Sequence, residues 1–270
     1  MAVPDVSDHP LADLLSLQDR VAVVTGGAVG IGYAVAERLV EAGAAVVIGD
    51  LAPPDAAAVA LSTRSGARVV GTTLDVSDAA SIAACADLAV ERFGRLDVWV
   101  NNAGIYPSAP LLELTDDAWD KVLDVNLRGS FIGAREAAAR MIAAGRGGVI
   151  VNIASTAAFK AGGPGVAHYV SSKHGVFGLT KSLAVELGPH GIRALAVAPT
   201  LIHTPGIDAG RAGFRAAGLG DILETYGERL PLGRVGVADD VARVVLFAAS
   251  DLAMFMTGST LLVDAGDVAL

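Results

Sequence analysis

One cysteine, Cys85, stands alone in 270 residues, so no intramolecular disulfide can form, and no Cys/His pair has metal-ligand spacing. A stapled secreted scaffold and a structural metal site are both excluded. Positive charge is also scarce. Twenty Lys and Arg against 29 Asp and Glu leave a net charge of −9, so binding a phosphate backbone over a broad surface would work against the chain's own field. Nucleic acid is not expected as a partner. Long apolar runs are missing too: Val46–Ile48 and Val149–Ile153 fall far short of the ~20 residues that span a bilayer. No membrane segment is expected. Met1 to Asp19 carries Asp5, Asp8, His9 and Asp13 with no positive charge before Arg20, which does not fit a secretory signal. A cytoplasmic protein is the expectation.

What the chain has is apolar residues, 53% of the total and rich in alanine, which suits close helix packing. Short β-branched runs recur at Val21–Thr25, Ala45–Asp50, Arg68–Thr73, Leu96–Asn101, Gly148–Ile153, Ile192–Ala198 and Thr260–Val263. Between them, apolar positions three and four apart predict helices over Ile31–Ala42, Ala79–Phe93, Asp116–Ala144, Tyr169–Gly188 and Asp239–Ser250. Thr115 and Ser77 read as helix N-caps with acid in the first turn. Strands alternating with helices predict an α/β fold, doubly wound, with a parallel sheet covered on both faces. No linker composition divides it, so one domain is expected. A Gly/Pro-rich stretch from Thr200 to Gly236, with a short helical pattern at Ile222–Tyr226, reads as a lid at about 200–236. Residues 1–19 form an N-terminal extension in which Leu11, Leu14, Leu15 and Leu17 suggest a short helix packing on a neighbour.

The first strand runs into Thr25-Gly26-Gly27-Ala28-Val29-Gly30-Ile31-Gly32 and then into a helix. Glycines there let the backbone turn tightly and approach a pyrophosphate, whose charge suits the free N–H groups of a helix start. A plain strand-to-helix turn has the same composition, but the position after the first strand favours the dinucleotide. Asp50 ends the second strand 24 residues after Gly26, about where an acid accepts hydrogen bonds from the ribose hydroxyls of NAD. Its charge would repel a 2′-phosphate, and neither Val29 nor Leu51 offers a cation. An ordinary strand-end aspartate is the competing reading. Asp75-Val76 and Asn101-Asn102-Ala103-Gly104 close the third and fourth strands, at the edge where open α/β sheets bind ligands.

Tyr169-Val170-Ser171-Ser172-Lys173 sets a phenol and an ammonium four apart, on one helix face. Bringing the phenol from its reference pKa of about 10 to about 8 takes roughly 2.7 kcal/mol, which a partly desolvated ammonium and an oxidised nicotinamide could supply. The phenol then serves as an acid/base near neutral pH. Ser155 lies just beyond the fifth strand, at the same edge as Asn102. His168 and His203 lie nearby, and lone histidines there are more often structural than substrate contacts.

Together, Thr25-Gly26-x-x-x-Gly30-x-Gly32, Asn101-Asn102-Ala103-Gly104, Asn126, Ser155 and Tyr169-x-x-x-Lys173 resemble the classical short-chain dehydrogenase/reductase family, from Arg20 to about Gly266. The resemblance implies a Rossmann fold with about seven strands over residues 20–270, a catalytic tetrad and a homotetramer. By that likeness Tyr169 is the acid/base, Ser155 orients the substrate oxygen, Lys173 binds the nicotinamide ribose and tunes Tyr169, and Asn126 holds a water leading to Lys173. It further assigns Gly26, Gly30, Ile31 and Gly32 to the phosphates, Asp50 and Leu51 to the adenosine ribose, and Asp75 and Val76 to adenine. Asn102, Ala103 and Gly104 flank the cofactor, and Pro199, Thr200, Ile202 and Thr204 surround the nicotinamide. Three departures stand out: Pro199-Thr200 where Pro-Gly is usual, a Ser155-to-Tyr169 separation of 14 residues, and Asp264-Ala265-Gly266 near the end.

The function expected is therefore an NAD-dependent hydride transfer between nicotinamide and a secondary alcohol or ketone. Ile105, Tyr106, Ala157, Phe159, Val166, Phe214, Leu219, Ile222, Leu223 and Tyr226 are candidate pocket residues, mostly apolar, which favours an apolar or cyclic substrate. An NADPH-dependent 3-oxoacyl-thioester reductase is the second reading, and Asp50 and the net charge count against it. A dinucleotide-sensing regulator is the non-enzyme reading; it would not need a complete tetrad, and all four members are present.

Overall fold

Runs of consecutive β-branched and small apolar residues can be buried on both faces at once, and here they form one sheet. The computed structural model describes residues 3–209 and 221–270; Phe214 and Leu219 lie outside the described residues. Strands β1 (Val21–Thr25), β2 (Ala45–Asp50), β3 (Val69–Thr73), β4 (Val98–Asn101), β5 (Gly148–Ile153), β6 (Ile192–Pro199) and β9 (Thr260–Val263) lie in the order β3-β2-β1-β4-β5-β6-β9. Every pairing is parallel, with Val21 beside Ala45 and Ala22 beside Val98. The chain winds outward from β1 to β3, then returns to β4 on the other side of β1. A crevice opens there, at the carboxyl ends of β1 and β4.

Side chains alternate across each strand, so the two faces build separate cores. Ala22, Val24, Val46, Ile48 and Val100 meet Val35 and Leu39 of α2 (Gly30–Glu41) and Val241 and Val245 of the helix Ala238–Ala249. On the other face Val23, Val47, Trp99 and Ile150 meet Ile82 and Ala86 of α4 (Ala79–Phe93) and Ile132 and Met141 of α6 (Gly129–Ala144). Each such aliphatic side chain contributes about 1.5–3 kcal/mol on burial. Cys85 lies in this second core, and burial pushes its thiol up to about 12, leaving it unreactive.

Several elements differ from the sequence expectation for identifiable reasons. The helix expected over Asp116–Ala144 is divided into α5 (Asp116–Leu123), a π-helical turn Asp124–Arg128, and α6. Asn126 sits in that turn, and its side chain is spent on the Ile105 backbone, accepting from its N–H and donating to its carbonyl, both at 2.8 Å. A further helix, α3 (Asp55–Ser65), was not expected, because its buried stripe is thin: Ala57, Ala58 and Leu61. Thr115 caps α5 as expected, accepting from Ala118 N at 3.2 Å. The cap of α4 is Asp78 instead of Ser77, whose N–H and hydroxyl both go to Asp75 Oδ1 at 2.8 and 2.6 Å. A short α1 (Leu11–Leu15) precedes β1, and Leu17 beyond it is fully buried in this chain's own core, not on a neighbour.

The helix of Tyr169 and Lys173 is α7 (Ala167–Leu187). Two short strands, β7 (Ile202–His203) and β8 (Gly236–Val237), pair with each other and so pin together the two ends of the 200–236 segment. Its short helical pattern is the helix Ile222–Gly227. Among the described residues no helix is long and apolar enough to cross a membrane, and no group of three or more His, Cys, Asp or Glu could hold a metal.

Candidate active site

The crevice between β1 and β4 is a groove of about 900 Å³. Its floor is the glycine turn, where Gly26 and Gly30 hold φ of +63° and +60°, conformations that suit glycine. A side chain at Gly26 would also meet Ala103 Cα at 2.9 Å, and one at Gly32 would strike the Gly26 carbonyl. Asn102 secures this packing: its amide donates to the Thr25 and Gly26 carbonyls at 2.8 and 3.0 Å. Thr25 Oγ1 in turn accepts from the N–H groups of Asn102 and Ala103, each at 3.0 Å. Asn102 therefore holds the turn closed. No side chain caps the start of α2 at Val29, which leaves its first-turn N–H groups without a side-chain acceptor.

Gly26, Gly30, Ile31, Gly32, Asp50, Leu51, Asp75, Val76, Asn102, Ala103, Gly104 and Thr204 all line the groove. Asp50 is held in place at the end of β2, its two oxygens accepting from Ala28 N and Ala52 N at 3.0 Å each. Asp75 is turned by Ser77, whose hydroxyl and N–H hold its carboxyl below the ordinary carboxylate range. Pro199, Thr200 and Ile202 are not among the lining residues. Ile202 is buried in the core beneath Gly236, and the Thr200 hydroxyl donates to Asp267 Oδ2 at 2.7 Å.

Ser155, Tyr169 and Lys173 gather beside the groove, at the end of β5. Ser155 caps a short turn, accepting from Ala157 N at 3.1 Å, and its side chain hydrogen-bonds Tyr169. Lys173 is 5% exposed and donates to the Ile153 carbonyl at 2.8 Å, with its ammonium 5.7 Å from the Tyr169 ring centre. Asn126 Nδ2 reaches Ser172 Oγ at 3.2 Å, joining the π-helical turn to α7. Beneath them runs a satisfied buried chain: Trp99 Nε1 donates to Asn101 Oδ1 (2.6 Å), Asn101 Nδ2 to Asn152 Oδ1 (2.8 Å), and Asn152 Nδ2 to Thr180 Oγ1 (2.9 Å). It fixes β4, β5 and α7 relative to one another. Tyr106 links groove and tetrad, its ring meeting Tyr169 edge-on at 6.4 Å.

Comparison with known proteins agrees with this geometry. A family model described as enoyl-(acyl carrier protein) reductase matches residues 26–267. The cis-4-hydroxycyclohexanecarboxylate dehydrogenase of Sinomonas cyclohexanicum is 44% identical over 254 residues, covering 93% of this chain and 98% of that one. An L-rhamnose 1-dehydrogenase (NAD(P)+) of Azotobacter vinelandii is 38% identical over 257 residues, covering 93% and 97%. The crystal structure of levodione reductase superposes with a TM-score of 0.88 at 36% identity, covering 93% and 98%. The chain belongs to the classical short-chain dehydrogenase/reductase family. It is an oxidoreductase with a single Rossmann-like domain.

One electrostatic expectation for this dehydrogenase/reductase changes in the protein alone. Burial pushes the Tyr169 phenol above its ordinary value, and the hydrogen bond with Ser155 opposes that only in part. Burial also pushes the Lys173 ammonium down to about 8. The physical reason is that Lys173 is itself desolvated, and its ammonium donates to the Ile153 carbonyl. His168 is buried, its Nδ1 accepting from Tyr169 N at 3.0 Å, and His203 pairs with Asp208 at 2.9 Å.

One part of the groove wall was not expected from the sequence. Asp117, Asp120, Lys121 and Asp124 line it from α5 and the π-helical turn. Their spacing of three, four and seven residues marks one helix face and was available in the sequence. Leu74, Ser77, Pro205 and Gly206 also line the groove and carried no comparable signal.

Proposed function

We propose that this short-chain dehydrogenase/reductase is NAD(H)-dependent and moves a hydride between nicotinamide and a secondary alcohol or ketone, apolar or cyclic in character. The observation that carries the reading is the assembly of Ser155, Tyr169 and Lys173 at one strand end beside a glycine-floored groove. The groove fits a dinucleotide on features of its own: uncapped N–H groups at the start of α2, close backbone approach at Gly26 and Gly32, and a fixed carboxylate at Asp50. Five aspartates, Asp50, Asp75, Asp117, Asp120 and Asp124, face it with one lysine, Lys121. That balance disfavours the extra phosphate of NADP and supports NAD. It also counts against the NADPH-dependent thioester reductase reading.

A bound nicotinamide supplies the hydride acceptor or donor. In the oxidation direction Tyr169 Oη takes the alcohol proton; in reduction it returns one. Ser155 Oγ orients the substrate oxygen and stabilises charge developing on it. Lys173 would hold the nicotinamide ribose and favour the phenolate, and Asn126 would support the start of a proton path toward Lys173. Pro199, Thr200 and Ile202 are assigned to the backbone environment of the nicotinamide, and Thr204 to its groove side.

A ring substrate is supported by Tyr106 beside Tyr169 and by the hydroxycyclohexane acid that the Sinomonas relative's name gives as its substrate. A homotetramer in the cytoplasm completes the reading, supported by apolar side chains left exposed at Phe131, Ile142, Val185 and Leu262. The test is a panel of acyclic and cyclic secondary alcohols with NAD+ and, separately, NADP+, followed by absorbance of the reduced cofactor. Turnover of a ring alcohol with NAD+ supports the proposal; activity with NADP+ alone, or with none of the panel, overturns it.

A further inference from the structure

Near the C-terminus lies a buried carboxylate that the mechanism does not use. Asp267 is 4% exposed, and burying a carboxylate is costly unless its oxygens are fully engaged. Here they are. Oδ1 accepts from Lys160 Nζ at 2.6 Å, and Oδ2 accepts from Thr200 Oγ1 at 2.7 Å and Tyr226 OH at 3.0 Å. Lys160 also donates to the Asp267 carbonyl at 2.5 Å, and the Thr200 and Tyr226 hydroxyls lie 3.2 Å apart.

The partners come from three places, two of which carry candidate pocket residues. Lys160 lies in the connection between Ser155 and Tyr169, Thr200 directly follows β6, and Tyr226 belongs to the helix Ile222–Gly227. The terminal turn does not need the Asp267 carboxylate to hold its own course. Asp264 accepts from Gly266 N and Val268 N at 3.1 and 2.9 Å, and Ala265 O accepts from Leu232 N at 3.3 Å. The carboxylate is therefore available for joining the other elements.

We propose that Asp267 is a positioning residue that fixes the Ser155–Tyr169 connection and the helix Ile222–Gly227 against the end of β6, and so sets the shape of the substrate wall. Thr200, where the family's usual glycine has no hydroxyl, is the member that makes a three-way joint possible at this strand end. Tyr226 is consequently an anchored residue, its hydroxyl turned to Asp267 and Thr200. None of Asp267, Lys160, Thr200 and Tyr226 lines the groove, and Asp267 and Tyr226 are assigned no cofactor contact, so replacing either of these two should change substrate engagement and leave dinucleotide affinity nearly unchanged. The proposal rests on the dehydrogenase reading for its kinetic part only.

The test compares Asp267→Ala, Asp267→Asn and Tyr226→Phe with the parent protein. KM and kcat are measured on an alcohol from the panel, NADH affinity by fluorescence, and amide exchange across 156–166 and 222–227 by mass spectrometry. Asp267→Ala is expected to raise KM about tenfold or more, change NADH affinity less than about twofold, and speed exchange in those two segments alone. Tyr226→Phe should produce part of the same change, and adding it to Asp267→Ala should add little. Asp267→Asn keeps the size while removing the charge, and serves if the alanine variant does not fold. Unchanged KM and exchange overturn the proposal, as does exchange that rises uniformly over the chain. If no alcohol in the panel is turned over, the dehydrogenase reading fails while the exchange pattern still decides the positioning role.

Discussion

The ammonium of Lys173 lies 5.7 Å from the centre of the Tyr169 ring, one helical turn away, and is tethered by a 2.8 Å hydrogen bond to the carbonyl of Ile153. The two groups are thus held by the same helix and the same strand end. In the protein alone, burial moves both toward their neutral forms.

Tyr169→Phe removes the hydroxyl proposed to exchange the substrate proton and changes no residue that lines the groove. Turnover is expected to fall by ~10² or more, with NADH affinity unchanged by fluorescence titration. A variant with full turnover would end the assignment of Tyr169 as acid/base.

Lys173 gives the reaction a characteristic pH response. Its ammonium, lowered to about 8 by burial, is charged below that pH and neutral above it in the protein alone. Alcohol oxidation needs the phenolate, and phenolate and ammonium each favour the other's charged form, so Lys173→Met should move the rising limb of the oxidation rate upward by about one pH unit or more. The pH profile of kcat/KM checks this; a limb that does not move would rule Lys173 out as the tuning group.

Cofactor choice is expected to follow the end of β2. Asp50→Ala combined with Leu51→Arg exchanges a fixed carboxylate for a cation at an exposed groove position, and should shift the affinity ratio toward NADPH. Competitive titration with both dinucleotides measures it, and an unchanged ratio would mean that the acids of α5 decide the preference instead.

Stability at low pH has a local contributor at the start of the helix Ala238–Ala249. Asp240 accepts from Val237 N at 3.0 Å, Arg234 Nη1 at 2.7 Å and Arg243 Nη2 at 2.7 Å, and Arg234, the largest cause, helps hold its carboxyl near 2, below the usual 3.8. A carboxylate lowered on folding stabilises above its unfolded value and loses that contribution as the pH falls through the folded one. Asp240→Asn should cost about 1 kcal/mol at pH 7 in denaturant unfolding, and the gap should narrow between pH 4 and pH 2. A gap that stays constant over that range would count against the carboxylate's charge as the source.

Much of the fold was legible because a sheet covered on both faces forces continuous apolar strands: β1, β2, β5 and β9 lie where the sequence put them. The glycine turn was legible because few residues tolerate the backbone of Gly26 and Gly30. Local pattern could not show that Asn126 would trade its side chain for the Ile105 backbone and open a π-helical turn. The Asp267 joint was equally hidden, since Lys160, Thr200 and Tyr226 meet only after the chain has folded. Ile202 follows β6 as expected, and its side chain belongs to the core.

The π-helical turn at Asp124–Arg128 also acts as a phase-setter. Each residue of a regular helix advances the chain by about 100° and 1.5 Å. Deleting one residue within 124–128 and restoring regular winding would rotate α5 against α6 by about that angle, carrying Asp117, Asp120 and Lys121 off the groove wall while the core behind α6 stayed packed. Deletion of Leu127 or Arg128 would therefore rewrite the groove's charge without removing any residue that lines it.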